Sequence, residues 1–181
     1  ATLVLTASTI PGATYLWTGP NGFTSTDQNP TINIVTLADA GVYSVRAVID
    51  ACNSAVATTN VIVRPVPASP SASSNSPVCV GQPINLTATT VPGATYTWTG
   101  PNGYSSSLQN PSIPVAAEAD SGLYSVAATI SGCTSPVAST TVVVVPLPPA
   151  PVAGSNSPVC LGDTLFLTAS FIPGATYLWT D

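Results

Sequence analysis

The sequence is almost devoid of charge. Its 181 residues include no histidine and no methionine, and the only basic residues are Arg46 and Arg64, against seven acidic residues, for a net charge of −5. Charged residues make up 5% of the chain, whereas about a quarter is usual in soluble proteins. Nucleic-acid binding requires clustered lysine and arginine to neutralise phosphates. We therefore do not expect nucleic acid as a partner, and anionic membrane surfaces are disfavoured for the same reason.

The absence of histidine removes most catalytic chemistry. Neither a Ser-His-Asp nor a Cys-His nucleophile can be assembled without it, and cysteines without histidine or clustered acids make a poor metal-ligand set. The closest acid pair is Glu118 and Asp120, but a turn-capping role explains Asp120 better than a catalytic cleft does. We predict a protein that is not an enzyme and holds no cofactor and no metal, with calcium at this loop as a weak alternative.

Long apolar runs are also missing. The longest one is Val142 to Val145, which is far too short to span a bilayer, so no membrane span is predicted in this segment. Hydrophobic residues still make up 45% of the chain, enough to fill a core. The polar positions hold serine, threonine and asparagine, and such a neutral surface would permit close lateral packing of chains. A plain extracellular surface accounts for the composition equally well.

The chain is an internal repeat. Residues 92–104 match residues 11–23 and begin a third time at residue 173, so each copy starts 81 residues after the previous one. A unit of this length is a small domain rather than a solenoid repeat. We predict one repeat lacking its first strand over 1–66, a complete repeat over 67–147 and the N-terminal part of a third over 148–181. On this division we expect the chain to be a piece of a longer polypeptide.

The complete repeat has the pattern of a β-sandwich. β-Branched residues dominate, no helical period is present, and turns recur about every 8 to 12 residues, with residues 100–103 forming a tight reversal. The predicted strands cover residues 71–78, 84–89, 94–99, 112–116, 123–130 and 136–145. The fold class is therefore all-β, with tandem immunoglobulin-like antiparallel β-sandwiches of about seven strands each.

Two features predict the core. A tryptophan in mid-strand on an apolar face can fill the space between two sheets, and Asp-x-Gly-x-Tyr is the signature of a tyrosine corner. The predicted structural residues are Trp17, Trp98, Trp179, Tyr43, Tyr124, Asp39 and Asp120. Phe23 and Tyr104, at the end of the reversal, are predicted to be exposed and are candidate contacts between domains or chains.

The motifs together resemble a known family. They comprise residues 75–81, 92–104, 109–111, 120–124 and 132–134 of the complete repeat. In combination they are similar to the immunoglobulin-like repeats of very large secreted surface adhesins of Bacteroidota, which are associated with gliding and type IX secretion. The resemblance covers the whole chain. It implies export, an extracellular or cell-surface location and a repetitive stalk, and it carries over no binding site.

The cysteines follow the same period. Cys79 and Cys133 lie 54 residues apart in the complete repeat, and the partners of Cys52 and Cys160 at this spacing would fall outside the chain. We predict one disulfide per repeat, closing one end of the sandwich and contributing about 3 to 4 kcal/mol on the chain-entropy account. One bridge per small domain indicates an oxidising, extracellular compartment. A Cys52–Cys79 bond across the linker is an alternative that breaks the period.

The linkers complete the functional hypothesis. Residues 64–70 and 145–151 alternate proline with other residues, which favours a stiff polyproline II connection. We predict a disulfide-stabilised shaft of a secreted adhesin or filamentous appendage. Its partners would be neighbouring repeats and, by lateral association, identical chains. The alternatives are a module that binds glycan or protein, for example through Phe23 and Tyr104, and a passive spacer in a secreted multidomain enzyme.

Overall fold

The computed structural model describes residues 2–180, which form short strands joined by tight turns. The strands of the first repeat are β1 (Thr2–Val4), β2 (Thr14–Thr18), β3 (Thr24–Ser25), β4 (Thr31–Asn33), β5 (Gly41–Ile49), β6 (Cys52–Asn53) and β7 (Ala57–Val61). Those of the second are β8 (Ala72–Ser74), β9 (Val78–Cys79), β10 (Ile84–Ala88), β11 (Thr95–Thr99), β12 (Ser105–Ser106), β13 (Ser112–Ile113), β14 (Gly122–Ile130), β15 (Cys133–Thr134), β16 (Ala138–Val142) and β17 (Val144–Val145). The third contributes β18 (Ala153–Ser155) and β19 (Leu167–Ala169).

Short 3₁₀ turns connect some of these strands, spanning Pro20–Gly22, Leu37–Asp39, Pro101–Gly103 and Glu118–Asp120. The chain divides into two compact units, one of residues 1–67 with 130–134 and the other of residues 68–129 with 135–181. The three repeat boundaries drawn from the period stay predictions. Within residues 2–180 there is no helix whose length and apolarity would let it cross a membrane.

The second repeat is a two-sheet sandwich. One sheet has the order β8-β10-β13, and the other has β12-β11-β14, with β15 and β16 both pairing with β14. Both sheets are antiparallel, whereas β9 pairs in parallel with β17. The side chains between the sheets are almost fully buried, and the largest are Ile84, Leu86, Trp98, Tyr124, Val126 and Val142. This topology confirms the predicted all-β immunoglobulin-like fold.

Alternation along the strands produces this core. In β10, Ile84 and Leu86 point inward and Asn85 and Thr87 point outward, and β11 alternates in the same way. Inward residues at every second position bury one face of each strand and leave the other to solvent. Val126 occupies the position where antibody-type domains carry their second cysteine, and it is buried, as predicted.

The predicted first strand, residues 71–78, forms two strands instead of one. β8 pairs with β10 in the three-stranded sheet, and β9 pairs with β17 in a separate two-stranded sheet. Between them, the Asn75 side chain donates to the Pro83 carbonyl (3.0 Å) and accepts from the Asn85 backbone N–H (2.8 Å). These side-chain bonds replace backbone ladder bonds beside the start of β10, where residues 75–77 move away from that strand. The predicted strand is therefore divided between two sheets.

Among the described residues of the third repeat, the strands are β18 and β19, and they pair in the same register as β8 and β10. Ala153 faces Ala169 as Ala72 faces Ala88. Trp179, predicted to be a core residue, is 48% exposed, whereas Trp98 is 0% exposed. The difference arises because, within residues 2–180, no second sheet covers β18 and β19.

The predicted Cys79–Cys133 disulfide is wrong for this structure, in which all four cysteines are free. Cys79 faces Val145 in the β9–β17 ladder, whereas Cys133 lies in the hairpin between β14 and β16. The chain runs away from that hairpin along β16 and β17 over the seven steps from Ala138 to Val145, about 24 Å at strand spacing. A disulfide requires Cα atoms about 4.4 to 6.8 Å apart. The two thiols therefore belong to opposite ends of the sandwich.

Candidate functional site

The tyrosine corner occurs in both the first and the second repeat. The Tyr124 hydroxyl donates to the Asp120 carbonyl oxygen over 2.9 Å, and the Tyr43 hydroxyl donates to that of Asp39 over 2.8 Å. Both tyrosines have no exposed surface. The bond ties the start of β14, or β5, to the 3₁₀ turn before it, so the corner predicted from Asp-x-Gly-x-Tyr is present.

The corner aspartates also organise the turn. In the first repeat, Asp39 Oδ2 accepts from the backbone N–H (2.7 Å) and the hydroxyl (2.8 Å) of Thr36, and Oδ1 accepts from the Asn21 amide (3.1 Å). The Thr36 N–H, then its hydroxyl and the Asn21 amide, lower the pKa of Asp39 by stabilising the carboxylate. In the second repeat Asp120 accepts in the same way from the Ala117 N–H (2.9 Å) and from Asn102 (3.2 Å).

The Asn-Gly reversal is therefore part of the corner. Asn102 adopts a left-handed conformation (φ 53°) and donates to the Ala119 carbonyl (3.0 Å) as well as to Asp120. Gly122 (φ 147°) faces the reversal so closely that a β-carbon there would lie 2.7 Å from Cγ of Pro101. Sequence reasoning identified the turn and the corner separately. The only sequence signal of their contact is that the turn and the Asp-x-Gly-x-Tyr motif occur at the same separation in both repeats.

Phe23 and Tyr104 are not the exposed contact residues that we predicted. Each is half-buried, and its ring meets the corner tyrosine edge-on, with centroids 5.4 Å apart in both the Phe23–Tyr43 and Tyr104–Tyr124 pairs. Burial raises the pKa of Tyr104, and burial followed by the charge of Asp120 raises the pKa of Tyr124. Because these aromatic rings fill the end of the core, they offer no flat platform to a sugar.

The Gln-Asn-Pro motif of residues 109–111, which recurs at residues 28–30, has a structural cause that the sequence alone did not reveal. Gln109 Nε2 donates to the Ala88 carbonyl (2.8 Å) and to the Thr90 hydroxyl (2.9 Å), while the Asn110 side chain accepts from the Ala88 N–H (3.0 Å). The Gln109 carbonyl accepts the Trp98 indole N–H (3.2 Å). The side chains of residues 109 and 110 thus hold the C-terminal end of β10 in place of a paired strand. The Gln109 carbonyl fixes the orientation of the buried indole.

The β9–β17 pair joins the beginning of the second repeat to its end. The Val78 N–H donates to the Val143 carbonyl (3.0 Å), and the Val80 N–H donates to the Val145 carbonyl (2.9 Å). The Val143 N–H donates to the Ser76 hydroxyl (2.9 Å). The second strand of this repeat, β9, and its last strand, β17, are thus bonded side by side and run in the same direction.

The chemistry of these sites is structural. The corner carboxylates are occupied by turn hydrogen bonds, and among residues 2–180 there is no group of three or more His, Cys, Asp or Glu side chains able to hold a metal. These hydrogen bonds join the 3₁₀ turn before β14 to β14 and to the Asn-Gly reversal, an arrangement that resists deformation.

Comparison with known proteins gives structural likenesses only. No family model matches the chain, and no curated protein sequence matches it. It is similar to murine CEACAM1b, with 18% identity over 81% of this chain and 92% of that one and a TM-score of 0.46. It is also similar to a chain in the crystal structure of a mouse coronavirus receptor-binding domain complexed with its murine receptor, with 16% identity over 80% of this chain and 92% of that one and a TM-score of 0.49. The immunoglobulin-like assignment stands on the sheet topology of the chain itself.

Proposed function

We propose that this chain is a load-bearing segment of tandem immunoglobulin-like repeats in the stalk of a large secreted cell-surface adhesin or filamentous appendage, of the type exported by type IX secretion in Bacteroidota. The parallel pairing of β9 with β17 is the observation that carries the proposal. The remaining support is the repetition of the same hydrogen-bond networks at a constant spacing of 81 residues.

The direction of the pair makes it suited to tension. The preceding repeat pulls on the N-terminal side of β9, and the following repeat pulls on the C-terminal side of β17. Because the strands are parallel, these two points are at opposite ends of the pair, so tension loads its hydrogen bonds in shear. All of them must then break together, whereas a pair with both pulled ends on one side would open one bond at a time.

The corner and the reversal reinforce this pair. Ser121, next to the corner, accepts the Val144 N–H through its hydroxyl (2.9 Å), so the turn before β14 is bonded to β17. Tyr124 and Asp120 hold that turn in place. Hydrogen bonds within the repeat therefore supply its stiffness. The predicted Cys79–Cys133 disulfide is not part of this proposal, because both cysteines are free.

The surface fits a component of a multichain shaft. On the outer face of the β11–β14 sheet the second repeat presents Thr97, Thr99, Leu123 and Ser125, without a charged group among them. An uncharged face opposes the approach of an identical chain only weakly. The alternative of a glycan-binding module is less favoured because Tyr96 and Trp98 are buried between the sheets.

The location is tested on intact cells that produce the protein. Antibodies against the second repeat should label the outside of the cells, and electron microscopy of sheared material should show thin threads or filaments with a repeat of one or two domains. Labelling only after the cells are broken would contradict the surface location. Labelling without threads would contradict the stalk.

A further inference from the structure

Two asparagines in the sequence, Asn21 and Asn102, are followed directly by glycine, and both lie in the Asn-Gly reversal of their repeat. Every other asparagine precedes serine, a branched aliphatic residue or proline. An asparagine side chain can be attacked by the backbone nitrogen of the next residue, and a glycine there has no side chain to obstruct the attack. The reversal therefore carries the asparagines of this chain that are most open to deamidation.

Deamidation exchanges the side-chain amide for a carboxylate. The Gly103 nitrogen forms a bond to Cγ of Asn102 while the Cγ–Nδ2 bond breaks, and the Gly103 proton leaves with Nδ2 as ammonia. Water then opens the five-membered imide at one of its two carbonyl carbons. The product is aspartate or isoaspartate, in which the main chain runs through the β-carbon. Water is the only other reactant.

The folded reversal holds the reacting atoms apart. Ring closure requires the Gly103 nitrogen and the β-carbon of Asn102 to lie on the same side of the Cα–C bond. At the observed ψ of 27°, the Gly103 nitrogen lies near the direction of the Asn102 nitrogen instead. Rotation of ψ would break the turn, in which the Tyr104 N–H donates to the Pro101 carbonyl (2.9 Å) and accepts at its own carbonyl from the Gly100 N–H (3.0 Å).

Hydrogen bonds fix the side-chain amide as well. Asn102 Nδ2 donates to the Ala119 carbonyl (3.0 Å) and to Asp120 Oδ1 (3.2 Å). While these bonds hold, Cγ cannot turn towards the next backbone nitrogen. The first repeat has the same backbone conformation at Asn21 (φ 53°, ψ 28°), whose Nδ2 donates to Asp39 Oδ1 (3.1 Å).

We propose that Asn102, and equivalently Asn21, is a modification site that deamidates when its repeat unfolds and is protected while the repeat is folded. In an unfolded chain ψ rotates freely, and chemical change of that chain competes with refolding. The modification then records that a repeat has been open. In a stalk under tension, a statement that rests on the proposed function above, the modified repeats are those that have been pulled open.

The modified side chain cannot rebuild the corner. A carboxylate at residue 102 would face the Ala119 carbonyl oxygen and Asp120 Oδ1, which both accept hydrogen bonds, and an ionised carboxylate has no hydrogen to donate. Two like charges at this distance also repel each other. Since Asp120 accepts from the Ala117 N–H and from the Tyr124 hydroxyl, the disturbance reaches the start of β14.

Peptide mapping by mass spectrometry tests the proposal on the 181-residue chain, incubated with reductant in buffer and in guanidinium chloride. In denaturant, Asn102 should deamidate, partly to isoaspartate. In buffer, its deamidation should be at least ~100-fold slower, which corresponds to an opening free energy of about 2.8 kcal/mol. Asn110 is the internal control: Pro111 has no N–H with which to attack, so Asn110 should stay intact in both solutions.

A variant tests the effect of the product. Asn102→Asp introduces the carboxylate directly and should lower the urea midpoint of the second repeat. Asn110→Asp adds the same charge to a side chain that accepts from the Ala88 N–H, a bond that a carboxylate keeps, and should unfold like the parent. A smaller difference between the two deamidation rates, or an Asn102→Asp variant with the midpoint of the parent, would overturn the proposal. Both measurements are made without force, so neither bears on the mechanical role of β9 and β17.

Discussion

Gly100 lies directly against the ring of Tyr124. A β-carbon on Gly100 would stand 2.5 Å from two ring atoms of the tyrosine, and the equivalent contact of Gly19 with Tyr43 is equally close. Gly100 has an extended backbone (φ −164°) that any residue can adopt. The glycine is therefore required by contact with the buried ring, and not by backbone conformation.

Gly100→Ala is expected to destabilise the second repeat by about 1 to 3 kcal/mol, the usual effect of overpacking. The ring of Tyr124 cannot move away without breaking its hydrogen bond to Asp120. Urea unfolding of the chain followed by far-UV circular dichroism measures the change. As a control, Gly103→Asn, at a left-handed position with open space around it (φ 71°), should have little effect, since asparagine tolerates this conformation.

Tyr124→Phe tests the corner hydrogen bond. The substitution leaves the half-buried Asp120 carbonyl without this donor and should lower the free energy of unfolding by about 1 kcal/mol. Tyr104→Phe is the matched control because the first repeat carries Phe23 at the same place with the same edge-on contact. Equal effects of the two substitutions in urea unfolding would mean that the Tyr124 hydroxyl has no special role.

Much of this fold could be predicted from the sequence, because local rules decide it. Alternation placed Trp98 and Tyr96 on the inner face, and Asp-x-Gly-x-Tyr identified the corner. The disulfide could not be predicted, since the spacing of Cys79 and Cys133 along the chain does not reveal which end of the sandwich each occupies. The same holds for β9, whose pairing with β17 joins residues far apart in sequence, and for Tyr104, whose exposure depends on where Tyr124 lies.

Acid should weaken the first repeat through Asp39. Its pKa is lower in the folded state because the Thr36 N–H and hydroxyl and the Asn21 amide stabilise the carboxylate. A lowered pKa contributes stability that is fully present above the unfolded value, ~3.9, and is lost as the pH falls through the folded value. Unfolding measured from pH 7 down to the acid limb should show this loss, and Asp39→Asn should reduce it. An acid limb that Asp39→Asn leaves unchanged would contradict this role of the carboxylate.

The thiols give a direct test of the cysteine positions. Mass spectrometry of the chain alkylated without reductant should find no Cys79–Cys133 linkage, because the two residues belong to opposite ends of the sandwich. The unfolding temperature of the monomer should not change when dithiothreitol is added. A crosslinked peptide pair containing both cysteines would show that the ends approach each other and that the described topology is wrong.

The central claim is that β9 and β17 bear load, and single-molecule pulling on both ends of the chain tests it most directly. The second repeat, in which β9 pairs with β17, should unfold at high force. Val80→Pro removes the N–H that donates to the Val145 carbonyl and should lower this unfolding force. Val80→Ala keeps that N–H and should retain most of it. If Val80→Pro and Val80→Ala unfold at the same force as the parent, the parallel pair does not carry the load and the proposed stalk function loses its support.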